Sequence, residues 1–364
     1  MEFMKKTNKN NFSSGPCCKR PDWDINALKD ALVGRSHKAQ ICKDRVKETM
    51  ELQREILGLP QDYKIGIIMG GDTAAIESAF WNLLGERGVD CISFDVFGIK
   101  WFKDIKDNLK IENVRNFNAE FGKIPDVSDV NFDNDVVFSF NGTTSGTFLD
   151  TDFIKDDRKG LTFCDATSGA FAYQVDWKKI DVFTYSWQKV LGGEAGHGVI
   201  ILSPRAVERL NNFTPKFPIP VFMNLKNKDI FLEGLTINTL SMLCVEDFRD
   251  ALLWAKNNGG LDFLINKTKE NSDYLYNFLN NSPTYKPLCE EKKYQSRTSV
   301  TFIFRENSSD ERVKEVVELL AKEGIAYDIK GHRDCPIPCF RVWCGPTIAL
   351  DDIKILCEWL ESCK

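Results

Sequence analysis

Six short apolar runs recur along the chain, at residues 64–69, 90–94, 135–140, 161–164, 181–185 and 199–202. They are continuous rather than alternating, as expected of strands buried on both faces. Longer amphipathic stretches lie between and before them. Helices are predicted over residues 22–33, 36–57 and 74–84, with Gly58 and Pro60 ending the second. Strands that alternate with helices predict an α/β unit whose mostly parallel sheet is covered on both faces. The texture changes near Cys244. Helices over 245–257 and 261–279 lead into a polar segment, 280–297. Strands at 299–304, 326–329 and 340–344 then alternate with helices at 311–322 and 351–360, which predicts a smaller C-terminal α+β unit. The expected division is a lead-in (1–15, the first twelve residues disordered), a large domain (16–255) and a small domain (256–364).

Composition narrows the class. The 364 residues are 43% apolar and carry a net charge of −5, which gives no argument for nucleic acid or an anionic membrane surface. No apolar run reaches the ~20 residues of a membrane span. The polar N-terminus has no hydrophobic signal core, so the cytoplasm is the expected compartment. Twelve cysteines, several inside apolar runs, read as reduced thiols. His332, Cys335, Cys339 and Cys344 lack the tight cysteine pairs of a zinc site, so no metal is expected.

Between the last two runs stands SWQKVLGGEAGHG, residues 186–198. Lys189 sits at the mouth of a buried strand, in a turn with Gly192 and Gly193. A desolvated amine there loses proton affinity and becomes a nucleophile toward aldehydes, which suits a Schiff base with pyridoxal phosphate. A solvated loop lysine is the plainer alternative. Ligands of open α/β sheets gather at the carboxyl ends of the strands, so the other strand ends bear on the choice. The run at 64–69 ends in Gly70-Gly71-Asp72-Thr73 at a helix start, where free amides suit a phosphate or form a plain tight turn. The run at 161–164 ends in Asp165, placed either to hold a protonated pyridine nitrogen or to cap a turn. Residues 141–146 form a hydroxyl-rich loop, and Phe97 before Gly98 is a stacking ring or a core ring.

Taken in order, FSSGP, GRSHK, GGDT, FGIKW, NGTTSG, CDATS, SWQKVLGGEAGHG, TINT, KGHR and FRVWCG resemble the motifs of the class V aminotransferases, and within them the phosphoserine-using branch. The resemblance covers nearly the whole chain. It implies a fold-type I, pyridoxal-phosphate-dependent transferase that works as a homodimer with shared sites. Lys189 is then the covalent lysine and Asp165 the partner of the ring nitrogen. Phe97 stacks on the ring, with Trp101 the runner-up, and Thr143 contacts the ring hydroxyl side. The amides of Asp72 and Thr73, with Gln188, hold the cofactor phosphate, joined by Asn238 and Thr239 of the second subunit. Arg341, assisted by His37, grips the substrate α-carboxylate, while His332, Arg333 and Lys38 meet the substrate phosphate. Lys38 stands where the family usually has arginine, which keeps the charge and loses the bidentate fork. Thr239-Leu240 replaces the frequent Thr-Pro. The implied reaction is O-phospho-L-serine plus 2-oxoglutarate giving 3-phosphooxypyruvate and L-glutamate, a step of serine biosynthesis. Alternatives are alanine–glyoxylate transamination, cysteine desulfuration, or a non-catalytic nucleotide-binding module.

Overall fold

The computed structural model of the chain describes residues 5–226, 229–232, 234 and 236–363. The N-terminal half runs α1 (Gln40–Leu57), β1 (Lys64–Met69), α2 (Gly71–Leu83), β2 (Val89–Ser93), α3 (Val96–Lys103), β3 (Val114–Asn118) and β4 (Asp135–Ser139). There follow β5 (Asn141–Gly142), β6 (Thr147–Phe148), β7 (Thr162–Asp165), β8 (Val182–Ser186), β9 (His197–Leu202), α4 (Pro204–Asn212) and α5 (Asp229–Leu232). The chain closes with α6 (Met242–Asn257), α7 (Gly260–Asn281), β10 (Tyr285–Pro287), β11 (Ser299–Phe304), α8 (Asp310–Lys322), β12 (Phe340–Trp343) and α9 (Leu350–Ser362).

The main sheet has the order β1-β9-β8-β7-β4-β2-β3. From β8 to β3 every pairing is parallel. Adjacent residues point to opposite faces: Val136 and Phe138 join one apolar cluster, and Val137 and Phe163 the other. Helices bury both faces, which explains why the runs read as continuously apolar. The sheet is mixed at one edge, because β9 pairs antiparallel with both β8 and β1. The loop 187–196 is too short for the crossover of a dozen or more residues that a parallel partner needs, so the chain returns as a hairpin. β3 was not expected. It lies at the other edge with no residue fully buried, so it lacks the apolar signal that betrays its neighbours.

Three other expectations are corrected. Residues 22–33 form one short 3₁₀ turn, Ile25–Leu28, instead of a helix. Ile25 and Val33 are exposed, so the stretch has no buried face to support a helix. Residues 326–329 form no strand, because Asp328 takes a left-handed φ of 60°. β10, from the stretch read as polar, pairs instead with β11, which pairs with β12. The start of the chain, as far as it is described, is built into the C-terminal unit. Asn8 N donates to Asp352 at 2.6 Å, Phe12 N to Tyr327 O at 3.2 Å, and Trp343 N to Phe12 O at 3.0 Å. Phe12 itself is buried, and that anchors residues 5–12 against the expected disorder.

Candidate active site

The carboxyl ends of β1, β4, β7 and β8 surround a cavity of about 180 Å³. Its lining includes Gly70, Asp72, Thr73, Phe97, Trp101, Thr143, Asp165, Gln188 and Lys189. These residues are far apart in sequence and meet because parallel strands end on one side of the sheet. A larger hollow of about 430 Å³ lies elsewhere, near Trp81, Arg87, Lys110 and Phe217, away from these strand ends.

Lys189 is enclosed, and burial lowers its proton affinity below that of an ordinary lysine. Its Nζ donates to Ser14 O at 2.6 Å. Gly15 lies so close that a Cβ there would stand 2.2 Å from Nζ. The FSSGP turn therefore seals the back of the amine, a role its sequence did not reveal. Across the cavity, Asp165 accepts from Trp101 Nε1 at 2.8 Å and from Thr167 N at 3.0 Å. Trp101 is buried against Phe80 and orients this carboxylate from behind. Phe97 is half-buried, its ring edge-on to His332 with centroids 5.8 Å apart. As the more accessible ring, Phe97 suits stacking better than Trp101.

Gly70 and Gly71 take φ values of 105° and 73°, which turn the chain sharply into α2. No side chain caps that helix, so its first amides remain available to an anion. The Asp72 carboxyl lies beside them. Burial and then the charge of Asp165 push it well above the usual carboxylate range, so it adds little negative charge to the cradle. Asp95, another acid of the lining, caps α3 by accepting from Gly98 N at 2.8 Å and is pushed up to about 7 by burial.

Five polar atoms of the lining are buried without a partner: Asp72 Oδ1, Ser139 Oγ, Thr167 Oγ1, Ser186 Oγ and Gln188 Oε1. Buried polar groups are ordinarily satisfied, so this concentration marks the place of a polar ligand. Thr143 Oγ1 lies 2.5 Å from Ser168 Oγ, and its carbonyl accepts from Arg341 Nη1 at 3.4 Å. Arg341, on β12, is half-buried with its Nε buried and unpartnered, and no ion pair joins it to a carboxylate among the described residues. A cation in that state calls for an anion from solution.

Other candidates lie away from the cavity lining. His37 is buried with Nε2 unpartnered, and Lys38 is exposed. Asn238 and Thr239 are exposed. Arg333 is exposed beside Asp334, at 3.8 Å.

The sequence pattern described as Aminotransferase class-V matches residues 132–344. The chain belongs to the class-V aminotransferases. The aminotransferase is 47% identical over 356 residues to the phosphoserine aminotransferase of Methanosarcina mazei, covering 96% of this chain and 95% of that protein. Its fold matches the phosphoserine aminotransferase of Cytophaga hutchinsonii with a TM-score of 0.84 at 21% identity, over 98% of this chain and 99% of that one. The PLP-bound phosphoserine aminotransferase of Trichomonas vaginalis matches with a TM-score of 0.79 at 19% identity, over 96% of this chain and 98% of that one. Identities this low speak for the fold alone.

Behind the lysine turn of the aminotransferase, Trp187 stacks between His197 at 4.5 Å and Phe248 at 4.8 Å. Both ring nitrogens of His197 are buried without partners. Burial pushes its pKa down from 6.5 to about 4. An unfolded chain binds this proton more readily than the folded one, so stability falls as pH drops from about 6.5 towards 4. The loss expected from this ring is about 2–3 kcal/mol. Urea midpoints between neutral pH and pH ~4.5 should show it, and His197→Phe should flatten that slope.

Proposed function

We propose that this aminotransferase moves an amino group between O-phospho-L-serine and 2-oxoglutarate, yielding 3-phosphooxypyruvate and L-glutamate, and so serves serine biosynthesis in the cytoplasm. The observation that carries the reading is the enclosed Lys189 amine facing Asp165 across a cavity rich in unsatisfied polar atoms. The identity to the Methanosarcina protein supports the choice of substrate. A nucleotide-binding module would leave the amine–carboxylate pair without a purpose.

The lining fits pyridoxal phosphate. The amides of Asp72 and Thr73, with Gln188, would hold its phosphate, Phe97 would cover its ring, and Thr143 would meet its hydroxyl side. Bound there, the cofactor supplies an electron sink for the pair left when a substrate C–H bond breaks. Lys189 Nζ, neutral at lower pH than an ordinary lysine, takes the proton from the substrate Cα and later returns one as an acid. Asp165, held by Trp101, keeps a facing ring nitrogen protonated. Arg341, with His37, receives the α-carboxylate in a site shielded from water. His332, Arg333 and Lys38 receive the substrate phosphate.

Asn238 and Thr239 would complete the cofactor phosphate site of a second copy, which makes the working unit a homodimer. The exposed apolar side chains of Val221, Phe222, Ile237 and Leu243 nearby in sequence support that reading.

Phosphoserine should be a far better amino donor than serine or alanine, and equal turnover of the three would contradict the phosphate site. Arg333→Ala should lower kcat/KM for phosphoserine by about 10–100-fold, the worth of a hydrogen bond to a charged group, and change that for glutamate much less. Equal losses for both would remove Arg333 from the phosphate site. Lys38→Arg should preserve turnover or tighten phosphoserine binding.

A further inference from the structure

The loop that carries His332 and Arg333 also carries two thiols not used in the chemistry above. Residues 331–339 read GHRDCPIPC. The loop is pinned at its base, where Gly331 N donates to Cys339 O at 2.8 Å and Lys330 bridges to Phe340. Ser308 Oγ holds Pro338 O at 2.8 Å. Inside, the Sγ atoms of Cys335 and Cys339 lie 3.8 Å apart. Cys335 is half-buried, whereas Cys339 is only 2% exposed. Gly331 leaves room for the inner sulfur, since a Cβ there would stand 2.4 Å from Cys339 Sγ. Pro336 and Pro338 restrict the connecting backbone, which lowers the entropy lost on closing the pair.

We propose that Cys335 and Cys339 are a peroxide-oxidisable dithiol whose disulfide resets the loop bearing His332 and Arg333. The bond from Cys339 lowers the Cys335 thiol below an ordinary cysteine, which favours its thiolate. Its partner is pushed up by the bond to Cys335 and by burial, and stays protonated. The Cys335 thiolate attacks one oxygen of a hydroperoxide, here hydrogen peroxide. The O–O bond breaks, hydroxide leaves and is protonated to water, and Cys335 becomes a sulfenic acid. Cys339 sulfur then attacks the Cys335 sulfur, the S–O bond breaks, and the departing hydroxide takes the Cys339 proton. The sum is two thiols and one peroxide giving one disulfide and two waters. A dithiol reductant reverses it by exchange.

Bonding requires the sulfurs to close from 3.8 Å to ~2.05 Å. Cys339 is tied to Gly331 and adjoins β12, so Cys335 must do most of the moving. Cys335 N donates to His332 O at 2.9 Å, and Lys100 pairs with Asp334 at 3.2 Å. The motion therefore reaches the His332–Arg333 segment, while Arg341 stays fixed in β12. The kinetic consequence rests on the substrate-phosphate reading above; the covalent one does not.

One tryptic peptide, residues 334–341, holds both cysteines. Full-length holoenzyme is reduced, exposed to equimolar hydrogen peroxide, quenched with an alkylating reagent and digested. The peptide should escape alkylation and lose ~2 Da, the mass of two hydrogens. Cys335→Ser and Cys339→Ser should each prevent this. A peptide still alkylated on both cysteines, or oxidised beyond sulfenic acid without forming the bond, overturns the proposal. In oxidised wild type the KM for phosphoserine should rise by about tenfold, the scale of one lost charge-assisted hydrogen bond, and recover with dithiothreitol. Oxidised Cys335→Ser should keep its KM. A disulfide that forms and leaves that KM unchanged overturns the link to the loop's function.

Discussion

Lys189→Ala should lower kcat for transamination by at least about 10³-fold, because the substitution removes the group proposed to move the proton and no other amine lines the cavity. The Asp95 and Asp72 carboxyls share the cavity lining, yet both are held protonated more readily than ordinary carboxylates and hydrogen-bond elsewhere or sit in the phosphate cradle. Ser14 offers only a carbonyl to the amine. The same variant should remain folded, since the lost side chain is one enclosed by loops rather than one that packs the sheet core. Single-turnover kinetics with phosphoserine and a thermal melt would check both parts. Because burial lowers the lysine's proton affinity, the wild-type rate should reach its basic limit below the ordinary lysine range as pH rises. In Lys189→Ala that limb should vanish along with the activity.

The second large effect is at Asp165. Asp165→Asn keeps the shape and can keep the Thr167 contact, gives up acceptance from Trp101, and on the proposed reading removes the charge that would hold a facing ring nitrogen as a cation. Losses of about 10²–10³-fold in kcat are expected, the usual scale for removing an electrostatic stabiliser of the transition state. Binding of phosphoserine should change far less, because Arg341 and the loop at residues 331–333 are untouched. A parallel rise in KM with an unchanged kcat would show that Asp165 only positions the ligand. Trp101→Phe, which deletes the indole donor behind Asp165, should give the same kind of change at much smaller size.

Much of the fold was legible because buried strands declare themselves. The runs around Val136, Phe163, Phe183 and Ile200 are apolar on both faces, and their ends fix where a site can be. The direction of β9 was not legible from apolarity, although the short loop 187–196 contained the clue. β3 hid because an exposed edge strand carries polar residues. The N-terminal lead-in looked disordered since its composition is polar, and its order comes from bonds to Tyr327, Trp343 and Asp352, more than three hundred residues away in sequence.

The candidate site divides in the same way. Lys189, Asp165, Thr143 and the Gly70–Thr73 turn were visible because each sits at the end of a recognisable strand. Trp101 was read as the runner-up stacking ring, and the donation of its indole N–H to Asp165 could not be read from the sequence. The seal that Ser14 and Gly15 form over Lys189 could not be read from a turn signal alone. His37, Lys38, Asn238 and Thr239 lie outside the cavity lining of the single chain, and only the likeness of their motifs singled them out.

The most direct test is chemical capture. Purified protein with added pyridoxal phosphate is treated with borohydride, digested and read by mass spectrometry. The cofactor mass should appear on the peptide containing Lys189 and on no other lysine. An adduct at a different side chain, or none despite an absorbance band that borohydride bleaches, would contradict Lys189 as the reacting amine.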